Sequence, residues 1–254
     1  MRSGVLSDIG KHREKNEDGY LATSPVFAVA DGMGGHLAGE VASSVALETI
    51  KQSLADIPDA KHMSRRLTQS IEEANAAVFR RAEAEEKKRG MGTTLTVSVL
   101  LGNRFHVGHV GDSRAYLFRD GKLKQITEDH SWVAEMVKKG TLSPEQAETH
   151  PQRAILPRAL GNGRAVHIDT SVLEVRPGDK FLLCTDGLTG MLSDRQIEKI
   201  MNKPLDPQGT CQELVNAANQ AGGHDNITTV VIEIEDVPDP EGRTPWWRRI
   251  LGVG

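Results

Sequence analysis

Val26-Phe27-Ala28-Val29-Ala30-Asp31-Gly32-Met33-Gly34-Gly35-His36 is the stretch on which the reading of the fold turns. Its first five residues are apolar, and several are β-branched or aromatic, the signature of a buried strand. The run ends on one carboxylate and passes into a glycine loop. Asp31 is therefore held at the rim of a rigid sheet, beside backbone with no Cβ to bar a ligand. Taken singly, this is a strand followed by a turn. The layout recurs, however, in Phe181-Leu182-Leu183-Cys184-Thr185-Asp186-Gly187. Val107-Gly108-His109-Val110-Gly111-Asp112-Ser113 and His224-Asp225-Asn226-Ile227 each set a further aspartate against an apolar run. Four carboxylates gathered at strand margins repel one another unless a cation holds them together.

With 254 residues the chain has room for one large domain or two small ones. A net charge of -4 argues against a nucleic-acid binder, which would carry a basic excess. Cys184 and Cys211 form no disulfide framework, so a reducing, cytoplasmic setting is expected, with Cys184 in the core. A cysteine-dependent phosphate hydrolase would need an arginine at position 190, where the chain has Gly190. Met1 to Asp8 holds no long apolar run, and neither a signal peptide nor a membrane span is expected.

Outward from the first strand, Ser7 to Tyr20 is polar and reads as a loop. A hairpin would nevertheless return Glu17 and Asp18 to the end of the Asp31 strand, with Arg13 placed to fork onto a phosphate. Helical spacing runs from Leu37 to Leu54 and from about Ser64 to Lys88. Strands follow over Thr93 to Leu101 and Arg104 to Val110, then Ala115 to Phe118 and Leu123 to Ile126, joined by turns at Gly102-Asn103 and Asp120-Gly121. This is an antiparallel meander rather than an alternating β-α-β chain, and it implies an α+β layered fold. Thr127 to Val166 breaks the pattern with short helices at Trp132 to Lys138 and Pro144 to Thr149, and reads as a lid or flap. His130, His150 and His167 lie here without ligand spacing and are taken as structural. Helices after Ser193 and Asp206 precede a last strand, Ile227 to Ile234.

Oxygen ligands at strand ends suit a hard cation, magnesium, manganese or calcium, whereas zinc would recruit His or Cys. Asp31, Asp186 and Asp225 can neutralise most of the charge of two divalent ions if Asp31 bridges them. Such a pair lowers the pKa of a shared water and stabilises an in-line displacement at phosphorus, with hydroxide as the attacking group. His36, His109 and His224 are candidates for acid/base or supporting roles.

These residues carry a resemblance. Ser7-Asp8-Ile9-Gly10 with Arg13 and Asn16-Glu17-Asp18, the Asp31 to His36 loop, Gly92-Thr93-Thr94, His109 to Tyr116, Cys184 to Leu188 and Asp225 to Thr228 occur in the order found in one family. The chain resembles the metal-dependent serine/threonine protein phosphatases of type 2C, in their compact bacterial form, from about Ser7 to Glu235. The resemblance implies a four-layer α-β-β-α sandwich of two antiparallel sheets flanked by helices, with two Mn2+ or Mg2+ ions in the channel between the sheets. Asp31 would bridge both ions, Asp186 and Asp225 would hold one, and the Gly32 carbonyl would bind the other, supported by Glu17 and Asp18. Asp112 with Asp186 would form a third, weaker position, and Arg13 would bind phosphate. The animal members have a histidine, the expected general acid, where this chain has Met33.

The function so implied is hydrolysis of phosphoserine and phosphothreonine on proteins, opposing a bacterial Ser/Thr kinase. Two rival readings are a catalytically weak phosphoprotein-binding regulator and a metallohydrolase of small phosphoesters. Residues 1–237 form the expected domain, with the flap at about 127–166, and the protein is expected to be monomeric. The tail, 238–254, carries Trp246-Trp247-Arg248-Arg249 and is read as packed on its own domain or unstructured, a membrane contact being the other reading.

Overall fold

A computed structural model describes residues 1–34, 38–57, 61–88, 90–153 and 155–236. Gly35, His36 and the tail, with its Trp246-Trp247 pair, lie outside the described residues. The chain opens with β1 (Arg2–Asp8), β2 (Asp18–Thr23) and β3 (Val26–Met33), then two helices, α1 (Ala38–Ser53) and α2 (Met63–Ala84). The meander follows as β4 (Gly92–Thr93), β5 (Leu95–Leu101), β6 (Arg104–Val110), β7 (Arg114–Arg119) and β8 (Lys122–Gln125). Between β8 and β9 (Asp169–Glu174) lie α3 (Trp132–Lys138) and α4 (Pro144–Glu148). The chain continues through β10 (Lys180–Cys184), α5 (Asp186–Thr189), α6 (Asp194–Met201), α7 (Pro207–Gln220) and β11 (Ile227–Glu233).

One sheet has the order β1-β11-β10-β7-β8 and the other β2-β3-β5-β6-β9, with β4 paired to β3. All these pairings are antiparallel. Alternation along each strand builds the layers. On β3, Val26, Ala28 and Ala30 face α1 and α2, while Phe27 and Val29 enter the core between the sheets. On β10, Leu182 and Cys184 face the helices α5 to α7, and Phe181 and Leu183 point inward. Phe105 and Phe181 stack across the two sheets with centroids 3.8 Å apart. The result is the expected four-layer α-β-β-α sandwich.

Several boundaries differ from the sequence reading. The strand expected at Thr93 to Leu101 is broken at Thr94, whose side chain is used to hold β3. Asp186 is the first residue of a one-turn helix, not a strand end. Ser7 to Tyr20 is a loop only in its middle, because β1 ends at Asp8 and β2 begins at Asp18. At the opposite end of β1 the Met1 ammonium pairs with Glu235 at 3.0 Å and Arg2 with Glu233 at 2.7 Å.

Candidate metal centre

The alternation that buries Phe27 and Val29 puts Asp31 next on the same inward face. Asp18 lies directly opposite it in the β2–β3 register, so two carboxylates share one face at the mouth of the inter-sheet core. The Asp31 main chain is fixed from three directions: its N–H donates to Thr94 Oγ1, and its carbonyl accepts from the Thr94 N–H and the Thr93 hydroxyl, each at 2.9 Å. The Thr94 hydroxyl also meets Ser113 Oγ at 2.6 Å. Gly111, at φ 116°, turns the chain into Asp112, and a Cβ there would lie 2.6 Å from Thr94. Only glycine tolerates both that backbone and that contact.

From the other sheet come Asp186 and Asp225. Thr185, inward like Leu183, donates its hydroxyl to Asp18 Oδ2 at 2.8 Å and accepts the Thr228 N–H at 3.0 Å. Asn226 clamps the loop after β1: its amide donates to the carbonyls of Ile9 and Lys15, and its Oδ1 accepts the Glu17 N–H at 2.8 Å. The Glu17 carbonyl in turn accepts from the Gly32 N–H and the Ser43 hydroxyl. A Cβ on Gly32 would lie 2.0 Å from the Gly39 carbonyl, and one on Gly39 would lie 2.7 Å from Glu17 Oε1. The two glycines therefore let three segments converge where side chains would separate them.

The electrostatics of the cluster follow from burial and like charge. Burial pushes the Asp18 carboxyl up to about 7, although the hydroxyls of Thr228 and Thr185 oppose the shift. Asp31 is held well above the usual carboxylate range by burial and then by Asp186, Asp18, Asp112 and Asp225. Asp112 is raised likewise by burial and Asp186, and Asp186 by burial and Asp225. A hydrogen bond with Asp31 opposes the rise at Asp186. Burial also raises Glu17. Arg13, half exposed, donates Nη2 to Asp225 Oδ2 at 2.6 Å, and this bond raises its own pKa.

A hard cation fits this chemistry. One oxygen each of Asp18, Asp112 and Asp186 is buried without a hydrogen-bond partner among the described residues, and the donor set is oxygen only. As the side chains stand, no three His, Cys, Asp or Glu groups among the described residues converge on one point at ligand distance. A cation would need small side-chain rotations, first of Arg13 away from Asp225. The buried, mutually repelling oxygens weigh more than the present rotamers, because two charges about 4 Å apart cost on the order of 4 kcal/mol at an effective dielectric near 20.

Of the residues singled out in the sequence, Asp18, Asp31, Asp112, Asp186 and Asp225 come together, with Glu17 and Arg13 at their edge. Among the described histidines, neither His109 nor His224 joins them as an acid. His109 is buried behind the Asp112 turn between Thr96 and the Glu128 carbonyl, and burial pushes it down to about 4. His224 lies against the His12 ring, centroids 4.7 Å apart. Met33 follows Gly32 with no proton to give. Thr94, Ser113, Thr185, Thr228 and Asn226 lie within the motifs of the resemblance, but the sequence assigned none of them a role at the site. Period-two alternation from Leu183 to Thr185 and from Val230 to Thr228 was the signal that could have found the two inward threonines.

The sequence profile of the protein phosphatase 2C family matches residues 14–230. A serine/threonine protein phosphatase of Mycobacterium tuberculosis, PstP, is 40% identical over 236 residues, which is 93% of this chain but 45% of that protein. The chain thus spans about half the length of that curated relative. The serine/threonine phosphatase stp of Listeria monocytogenes is 36% identical and is matched over 92% of this chain and 96% of its own length. A crystal structure of the catalytic domain of PstP in complex with two manganese ions superposes with a TM-score of 0.86 at 38% identity, covering 92% of this chain and 98% of that one. The strand order, the carboxylate cluster and these three likenesses agree, and the chain belongs to the protein phosphatase 2C family.

Proposed function

We propose that this chain is a Mn2+- or Mg2+-dependent protein serine/threonine phosphatase. The observation that carries the reading is the cluster of five aspartates at the mouth of the inter-sheet core, three of them with a buried, unpartnered oxygen. The names of the relatives and the two manganese ions of the PstP structure support it. Asp31 would lie between two ions, Asp186 and Asp225 would hold one, and the Gly32 carbonyl would hold the other, with Glu17 and Asp18 beside it. Asp112 with Asp186 would serve a third, weaker position. When bound, such ions supply positive charge at the phosphoryl oxygens and lower the pKa of a water.

The chain's own residues do the rest. Arg13 presents a planar guanidinium at the rim, and once free of Asp225 it forks onto the phosphoryl group. Thr94, Thr185 and Asn226 hold the acidic groups in place through main-chain bonds, so little reorganisation accompanies the reaction. Without cations the acidic floor repels a phosphate dianion, which makes catalysis conditional on metal. The substrates are phosphoproteins, made by a Ser/Thr kinase that this enzyme opposes; it works as a monomer in the cytoplasm. Residues 1–237 act as one domain, with residues 127–166 as a flap beside the mouth.

The test is hydrolysis of a phosphothreonine peptide with Mn2+, with EDTA, and by Asp186→Asn. Turnover is expected in the first case and near loss in the other two. Full turnover after chelation, or faster hydrolysis of sugar phosphates than of the peptide, would overturn the proposal.

A further inference from the structure

Separate from the carboxylates runs an open groove of about 640 Å³ lined by Ala76, Phe79, Arg80, Glu83, Ala84 and Arg164. Its floor is the half-buried Phe79 with two alanines of α2. Its walls are the outer half of α2 and the end of the flap. These walls are tied together. Asn75, 1% exposed, accepts the Gly161 N–H at 2.9 Å and donates to the carbonyls of Gly163 at 3.0 Å and Arg164 at 3.3 Å. One step earlier, Leu160 and Thr93 exchange both backbone hydrogen bonds, and Thr93 pairs with Gly32. The groove is thus joined through two short backbone links to the glycine that follows Asp31.

Arg80 and Arg164 are exposed, and among the described residues neither guanidinium has an ion-pair or hydrogen-bond partner. Arg81, the neighbour of Arg80, differs in this respect: it pairs with Glu85, as Arg114 does with Asp129 and Arg119 with Asp179. Glu83 is the one acid in the lining, so two cations face one anion around an apolar floor. That composition suits a segment with a large apolar side chain next to acidic ones, because the aromatic floor takes the first and the two forks take the second. The mouth itself is acidic and cannot attract such a segment.

We infer that this groove is a docking site for an acidic–apolar stretch of the substrate polypeptide flanking the phosphorylated residue. The inference deepens the phosphatase reading and rests on it for the identity of the ligand. The guanidiniums act on capture of the polypeptide and not on the chemical step, so their effect falls on KM and leaves kcat alone.

Two phosphothreonine peptides, one with Asp, Glu and Leu beside the phosphoresidue and one with Lys and Ser, are compared on the full chain with Mn2+. Arg80→Glu/Arg164→Glu is expected to raise KM for the acidic peptide about tenfold, to leave the basic peptide unchanged or improved, and to hydrolyse p-nitrophenyl phosphate as the wild type does. Equal loss on all three substrates, or no preference of the wild type between the peptides, would overturn the docking site. A labelled, unphosphorylated peptide of Asp, Glu and Leu, titrated by fluorescence anisotropy, reads the groove without turnover. Salt-sensitive binding that the double variant loses supports the site even if no phosphatase activity is found; absence of binding to the wild type sinks it while leaving the catalytic proposal standing.

Discussion

Asp186→Asn replaces a crowded carboxylate by a neutral amide of the same shape. In EDTA at pH 8, where more of the cluster is ionised, the variant is expected to be more stable than the parent by roughly 0.5–2 kcal/mol, because one source of repulsion is gone. In Mn2+ the order should reverse, since the parent gains stability from the ion and the variant does not. Urea melts under the two conditions check both signs. Arg13→Ala separates two roles of one side chain. The Arg13–Asp225 pair is half exposed, so its loss should cost the fold no more than about 1 kcal/mol. Mn2+ affinity by calorimetry should hold or tighten, because a competitor for Asp225 is removed. KM for a phosphopeptide should rise about tenfold or more, the worth of a charged hydrogen bond to phosphate.

The segment that follows β8 is fastened near its start by His130. Its backbone N–H donates to the Gly111 carbonyl at 2.8 Å, its Nδ1 accepts the Gly111 N–H at 3.1 Å, and its Nε2 meets Asp169 at 3.1 Å. A backbone N–H can only donate, so Nδ1 is unprotonated and Nε2 gives its proton to Asp169. His130→Ala leaves the buried Gly111 N–H without a partner and should cost about 1–3 kcal/mol, with faster hydrogen exchange over residues 111–132 as the readout. This latch was invisible in the sequence, where His130 showed no ligand spacing and was read only as structural. The same holds for Asn226 and Thr94, which act through main-chain groups of distant segments. Core strands were legible because Val26 to Ala30 and Phe181 to Cys184 are apolar throughout. By contrast, β9 passed unread: it is a sheet edge whose residues alternate between half and full exposure and leave no apolar run. In β1 the only buried residue is Gly4, against which the start of α7 packs. The acidic centre was legible for another reason: Asp31, Asp112 and Asp186 each follow, and Asp225 precedes, a run that had to be core, so the strands themselves aimed the carboxylates at one end.

The two sheets are held face to face by an apolar core in which Phe105 and Phe181 stack. Phe105→Ala should cost about 3–5 kcal/mol and lower the melting temperature without altering the metal site. Acid and metal then act on the whole molecule through linkage. The acidic groups are raised in the folded protein, Asp18 to about 7, so the native state binds more protons than the unfolded chain between about pH 4 and 7. Their contribution to stability is therefore present at low pH and falls as pH rises through that window. His109, lowered to about 4, has the opposite sign: the unfolded chain binds its proton first, and stability gains as pH rises towards 6.5. Comparison with and without Mn2+ isolates the carboxylates, and the stabilisation due to the ion should grow from pH 5 to 7.5 in thermal melts. A flat increment would show that these groups do not bind it. Finally, β11 leads from Ile227, two residues past Asp225, to Glu233 about 20 Å away, and just beyond it Glu235 meets the Met1 ammonium. Both described ends of the polypeptide therefore leave from the pole remote from the carboxylate cluster. A tether attached after Asp236 would act as a leash from behind, leaving the acidic opening facing away from the point of attachment.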